Sequence, residues 1–414
     1  MNIRTRPAAL TLVLATAAVL TAPTARADAP TDDGPAEFAV DSTADAVDAD
    51  PSDGLCRTAS GVCSLRAAVM AANSRPGSTI TLPPGRYRLT IPPDPRLIVG
   101  DNPDPTTGDL NVDAPTTIRG SGARATVIDA NRLDRALRMR ADTKLSDLTI
   151  TGGVAKQREL PITDTGGGGI ANGHRMALRR VAVTGNSAGY GGGIFNTPGS
   201  HLDLIDSTVS GNAAGEAGGI RFDDTGTVTN STIVGNRVTN PGDRPGSLAG
   251  YGGGIDIRGL GVVEILNSTI HGNTSSDGGG GINIAPAYLD SLPSPIPDIV
   301  DLPLGRLTLR NSVVAGNTVG GEAADCKRAF ATIASKGHNL DGDGSCRLTA
   351  PGDLPSRPSL IGPLADNGGP TDTAALLPGS PALDAAADCP ATDQRGVARP
   401  QGAACDIGAY EHTP

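Results

Sequence analysis

The run Gly252-Gly253-Gly254-Ile255-Asp256-Ile257-Arg258, followed by Val263-Glu264-Ile265-Leu266-Asn267-Ser268-Thr269-Ile270-His271-Gly272-Asn273, decides how the rest of the chain is read. Short alternating apolar stretches rich in β-branched residues are broken by glycine and asparagine, which is the chemistry of brief strands joined by tight turns. The pattern recurs. Aligned on the isoleucine after the glycines, Ile170, Ile194, Ile220, Ile255 and Ile282 fall in one column, 24, 26, 35 and 27 residues apart. Thr208-Val209-Ser210-Gly211-Asn212, Thr232-Ile233-Val234-Gly235-Asn236 and Val313-Val314-Ala315-Gly316-Asn317 repeat the second half. Three short strands in about 25 residues suit one coil of a parallel β-helix, with coils stacked about 4.8 Å apart. A leucine-rich repeat would need a Leu-x-x-Leu-x-Leu register, and it is missing.

Composition narrows the function. The chain has 414 residues, 56 of them Gly and 33 Pro, a formal net charge of -10, no Trp, four Phe and five Tyr. Without basic patches interleaved with aromatics, nucleic-acid binding is excluded. Residues 1–27 carry Arg4 and Arg6, an apolar core between Ala8 and Ala22, and the small-x-small site Ala25-Arg26-Ala27, the signature of a secretory signal peptide. Losing Arg4, Arg6 and Arg26 takes the net charge from -10 to -13. No other segment approaches the roughly 18 apolar residues of a spanning helix, so no integral membrane segment is expected. Export permits disulfides, and the local pairs Cys56–Cys63, Cys326–Cys346 and Cys389–Cys405 are favoured as structural staples.

The expected organisation is a signal peptide (1–27), a linker (28–35), an N-terminal cap (36–78), a right-handed parallel β-helix (79–346) and a C-terminal cap (347–414). Ser64 is a good N-cap for a short helix over 64–72 that plugs the first coil, and the disulfide-closed 366–412 is read as the opposite end cover. Two inserts, 237–250 and 285–305, are expected to project as loops. Asn230, Asn267 and Asn311 are expected to form one amide ladder, and Asn212, Asn236 and Asn273 another.

Cys63-Ser64-Leu65-Arg66-Ala67-Ala68-Val69, followed by Ala72-Asn73, resembles the N-terminal motif of CSLREA-domain proteins, with Ala67 in place of the motif's Glu. Asp366-Asn367-Gly368-Gly369-Pro370, Leu377-Pro378-Gly379-Ser380-Pro381, Asp393-Gln394-Arg395-Gly396 and Asp406-Ile407-Gly408-Ala409-Tyr410-Glu411 are similar to the choice-of-anchor Q domain. The middle is similar to pectin-lyase-like β-helix repeats. The resemblance covers nearly all of the mature chain and implies an exported bacterial solenoid, secreted or held at the cell surface.

If each column isoleucine points inward, residues one and three places later point outward. These are Phe195 and Thr197, Arg221 and Asp223, Asp256 and Arg258, and Asn283. Tyr190, Glu216 and Tyr251, four places before the isoleucine, line the lip of the turn. This face gathers carboxylates, guanidiniums and aromatics. Arg221 above Asp256, and Asp223 above Arg258, are expected to form exposed ion pairs between adjacent coils. Tyr190 and Tyr251 are the candidates for stacking on a sugar. Pectin-lyase-like enzymes would instead use such carboxylates with an Arg base, here Asp223 and Asp256 with Arg221 or Arg258.

Other constellations are plainer. Asp45, Asp48, Asp50 and Asp53 depart from EF-hand spacing and read as a solvated turn. Asp341-Gly342-Asp343-Gly344 reads as a tight turn, with calcium as the alternative at both. The five histidines show no metal-ligand spacing, so no metal or other cofactor is expected. The sequence therefore reads as an exported β-helix scaffold that contacts a polysaccharide or another cell-envelope partner without turnover. The alternative is a polysaccharide lyase or glycoside hydrolase on the same fold.

Overall fold

The computed structural model describes residues 35–94, 104–155, 166–239, 251–285, 305–328 and 331–413. The signal peptide, nearly all of the linker, and most of both inserts lie outside them. The chain winds as a right-handed parallel β-helix. In one eight-stranded sheet Leu110, Leu137, Ile170, Ile194, Ile220, Ile255, Ile282 and Cys326 stand in register across successive coils. The five isoleucines are fully buried, each removing a side chain from water at about 1.5–3 kcal/mol. Parallel pairing begins before residue 79 and continues past 346. β1 (Glu37–Ala39) pairs with β2 (Ser78–Thr81), and Leu354–Pro355 pairs with Leu340–Asp341.

The glycines before each isoleucine answer a steric demand. A Cβ on Gly192 would stand 2.4 Å from the carbonyl oxygen of Ala213, and one on Gly253 would stand 2.4 Å from that of Gly280. Only glycine lets the backbones of neighbouring coils approach so closely. One asparagine ladder forms as expected and runs further. Asn186 Nδ2 donates to Asn212 Oδ1 (3.0 Å), Asn212 to Asn236 (2.9 Å), Asn236 to Asn273 (3.0 Å), Asn273 to Asn317 (2.9 Å), and Asn317 to Asp325 (2.8 Å).

The second expected ladder is corrected. Asn230, Asn267 and Asn311 occupy left-handed corners, with φ of 47°, 48° and 48°, in a column with Asp147, Arg180 and Asp206. Asn230 reaches the corner below it, donating to Asp206 Oδ1 (3.3 Å), but no amide-to-amide ladder forms. Asn230 Nδ2 donates to Thr392 O (3.0 Å) and Asn311 Nδ2 to Ala387 O (2.7 Å). The next residue of each coil forms the ladder there: the Ser207, Ser231, Ser268 and Ser312 hydroxyls each accept the amide of the residue one coil below, at 3.1–3.2 Å.

Helix α1 (Leu65–Asn73) is capped by Ser64, whose hydroxyl accepts from the Ala67 amide at 3.1 Å, and its apolar face joins the main core. Arg66 is buried in an ion pair with Asp45 (2.7 Å) and donates to Gly108 O (2.8 Å). Asp45 also accepts the amides of Thr90 and Ile91, which removes it from the turn expected with Asp48, Asp50 and Asp53. The three disulfides join the expected pairs.

The C-terminal segment is not an end cover. At the far end, Cys346 and Leu348 enter the main core. Residues 366–412 instead run back along the flank, over the outward column Thr208, Thr232, Thr269 and Val313. Arg124 pairs with Asp372 (2.7 Å), the Thr232 hydroxyl donates to Gln394 Oε1 (2.6 Å), and Gln394 Nε2 donates to the Thr208 hydroxyl (2.9 Å). The Ala409 amide donates to Thr269 Oγ1 (3.0 Å), and Ile407, Leu376 and Ala382 pack on Val313 and Leu340. The reason is chemical: this outward column is uncharged, so a strap with matching hydroxyl partners buries it at little desolvation cost.

The ladder should be energetically visible. Asn236→Ala strips the acceptor that serves both the amide and the side chain of Asn212. We expect a loss of about 2–4 kcal/mol in urea unfolding; a loss below about 0.5 kcal/mol, the level of an ordinary surface change, would contradict a stabilising ladder.

Candidate functional site

The outward column of the eight-stranded sheet reads Asn111, Arg138, Ala171, Phe195, Arg221, Asp256, Asn283 and Lys327. Nine of the ten residues singled out on this face come together, and the tenth, Thr197, lines the neighbouring cleft. Their pairing, however, runs within coils. Arg221 Nε and Nη2 hold Asp223 in a two-pronged contact (2.7 and 3.1 Å), because residues two apart on a strand share a face. Arg258 Nε holds Asp256 (2.7 Å), whose other oxygen accepts from Asn283 Nδ2 (2.7 Å). Between coils, Glu216 stands 3.0 Å from Arg221 and 3.7 Å from Arg258, beside the Asp256–Asn283 bond.

Nor is the network exposed. Asp256, Arg258, Asn283 and Glu216 are buried, while Arg221 and Asp223 keep a partial opening to solvent. The aromatics supply the cover. The Arg221 guanidinium lies 4.8 Å from the Tyr190 ring centroid and 5.4 Å from Phe195, and that of Arg258 lies 4.8 Å from Tyr251. The Lys327 ammonium lies 5.6 Å from the same Tyr251 ring. These cation–π contacts occupy the ring faces that were expected to stack on a sugar. Burial pushes the Glu216 carboxyl up to about 6, against the opposing pull of Arg258 and Arg221.

Two coils earlier the same face opens. Ala171 and Gly173 present almost no side chain, leaving a cleft of about 320 Å³ lined by Arg138, Arg140, His174 and Thr197 as well as these two. Its lining carries two guanidiniums and an imidazole and no carboxylate. Behind it, Asp109 is buried against Arg135 (3.2 Å), and Asp113 holds Arg140 (3.1 Å). The sequence reading missed Arg138 and Arg140 because it began the column at Ile170. Carried back one coil to Leu137, the same one-and-three rule gives both.

The carboxylates of Asp325, Asp341 and Asp343 offer ligand atoms within 4.8 Å of one another, beside the Cys326–Cys346 disulfide. They are occupied by backbone. Asp325 accepts Asn317 and Asp343 amides, and Asp341 accepts those of Gly344 and Cys346. Burial, then the charge of Asp343, raises Asp341 to about 7, and burial raises Asp325 to about 6.

No protein-family model matches the chain, and no curated protein matches it. Among solved structures, the crystal structure of pectate lyase Pel9A is similar, at 16% identity and a TM-score of 0.38, covering 91% of this chain and 96% of that one.

Two outcomes check this geometry. Asp256→Asn leaves Arg258 buried beside a neutral partner and should cost about 3–5 kcal/mol in urea unfolding, whereas Asp223→Asn, at the partly open end, should cost under about 1 kcal/mol. Separately, the folded chain holds protons on Asp341 and Asp325 that the unfolded chain, with carboxyls near 3.8, releases. Stability should therefore rise as pH falls from about 8 to about 5. Thermal midpoints across that range should show the slope, and Asp341→Asn should flatten it.

Proposed function

We propose that this protein is an exported, non-catalytic scaffold that holds an anionic glycan of the cell envelope along its eight-stranded face. The Arg138–Arg140–His174 cleft serves as the anchor. One observation carries the reading: on a chain whose net charge is -10, a cleft is lined by two guanidiniums and an imidazole while the carboxylates that neighbour them, Asp109, Asp113 and Asp142, lie outside its lining. Such a patch concentrates an anion locally against the field of the whole molecule. Arg138 and Arg140 would take carboxylate or sulfate groups, Thr197 a sugar hydroxyl, and the edge of Phe195 the adjoining ring. Beyond it, the Arg221–Asp223 pair at the open end of the network gives a polar continuation.

The structural parts support export: three disulfides close, and among the described residues no helix is long and apolar enough to cross a membrane. The end motifs similar to CSLREA and choice-of-anchor Q domains fit a secreted or surface-held protein. Turnover by Asp223, Asp256, Arg221 and Arg258 is the second reading, favoured by a Glu216 carboxyl raised into the range of a general acid. Against it, Glu216, Asp223 and Asp256 are each held by a guanidinium.

Affinity electrophoresis through polygalacturonate and through a neutral glucan separates these. We expect retardation in the anionic gel alone, weakened at least about tenfold in the Arg138→Ala/Arg140→Ala double variant. No reducing or unsaturated ends should appear. Equal retardation in both gels would end the anionic-glycan reading, and released product abolished by Asp256→Asn would replace binding with catalysis.

A further inference from the structure

On two successive coils, His201 of the strand His201–Ile205 stands in register with Thr225 of the strand Thr225–Thr229, and Asp203 with Thr227. Residues two apart on a strand share a face, so these four side chains meet. His201 Nδ1 lies 2.8 Å from Thr225 Oγ1, and its Nε2 lies 3.1 Å from Asp203 Oδ1. The Thr227 hydroxyl donates to that same carboxylate oxygen at 2.7 Å. The order of the contacts sets the protons. An ionised carboxylate only accepts, so Nε2 carries the imidazole proton and Nδ1 keeps its lone pair for the Thr225 hydroxyl. A longer contact, 3.4 Å, joins that hydroxyl to Ser200 O.

A hydroxyl donating to an imidazole that a carboxylate orients is the arrangement of an activated nucleophile. The parts are reachable as well as aligned: the His201 side chain is 22% exposed and that of Asp203 35%. Ala177, in register with Asp203 one coil below, adds only a methyl group beside them. Charged groups around the ring are Asp203 on its own strand, Arg175 in register one coil below, and Asp224, which accepts the Thr225 and Gly199 amides. We propose that Thr225 is a modification site, an acceptor that takes one acyl group from an O-acyl ester, with His201 as its base and Asp203 holding the ring. Thr225 Oγ1 bonds to the ester's carbonyl carbon, and the bond from that carbon to the leaving oxygen breaks. The hydroxyl proton passes through His201 Nδ1 to the departing oxygen, so the products are an ester at Thr225 and a free alcohol. The site belongs to the eighteen-stranded sheet, and a single transfer is compatible with a scaffold that turns nothing over.

The probe is p-nitrophenyl acetate, followed by nitrophenolate absorbance and by peptide mass mapping. We expect one acetyl group at Thr225 and one matching equivalent of nitrophenolate. The rate should climb between about pH 5 and about pH 8, where an imidazole gives up its proton. His201→Gln should slow acetylation of Thr225 by about a hundredfold. Thr225→Val should remove it, and Thr225→Ser should restore it. If a variant fails to fold, the pH profile and the mapping on the unaltered protein decide. Acetyl groups confined to lysines, a rate at Thr225 indifferent to that pH range, or undiminished labelling of folded His201→Gln would each overturn the proposal. So would Thr225-dependent release of many equivalents, because the hydroxyl would then be a hydrolase nucleophile, and the non-catalytic reading would fall with it.

Discussion

The structure depends on coils stacking in parallel register, each backbone bonded to the one before and after. This constraint explains three otherwise separate features of the sequence. Inward columns must be apolar except where stacked polar residues satisfy one another, as the buried Asn172 and Asn196 do between Met139 and Phe222, because a single polar residue would lie between two apolar neighbours with nothing to bond. Glycine must stand where adjacent coils meet at a tight turn, since a Cβ at Gly192 or Gly253 would collide with a carbonyl oxygen of the next coil. Turns buried between coils must carry side chains that satisfy their own neighbours, which asparagine does by both donating and accepting. The ladder ends on Asp325, whose carboxylate accepts from the last asparagine without needing a partner to continue the donation.

Much of this was legible because the constraint repeats. Five isoleucines at similar spacing, each after glycines, mark one sheet, and the Asn212, Asn236 and Asn273 ladder follows from the same alignment. Periodicity did not reveal what lies across it. Asn230, Asn267 and Asn311 are equally periodic and share left-handed corners, yet the amides of Asn230 and Asn311 donate to the C-terminal segment. The same segment looked like an end cover because turn-rich, disulfide-closed sequence carries no mark of where it packs. In the candidate site, membership was readable and pairing was not. Register put Arg221 over Asp256, but a long guanidinium reaches its own strand's Asp223 with two bonds and better geometry. Arg138 and Arg140 were visible in principle, one coil beyond where the alignment began.

The electrostatics of the eight-stranded face follow from the same geometry. Outward side chains of successive coils stand close enough that like charges in one column would repel. No two like charges are adjacent in this column, and at Arg221, Asp256 and Lys327 each charge meets an opposite group or an aromatic face. Small residues at Ala171 and Gly173 leave the space of the cleft, and the carboxylates that neighbour its Arg138, Arg140 and His174 lie outside its lining.

The flank strap has a further consequence for how this protein can vary. A bare solenoid lengthens by whole turns at small penalty. Here Asp372 is tied to Arg124, Gln394 to Thr208 and Thr232, and Ala409 to Thr269. The strap is thus a ruler laid against the spiral: duplicating or deleting a winding between its attachment points would throw every later tie out of step. That leaves windings outside its reach, and excursions at the corners, as the places where length can change without disturbing these ties.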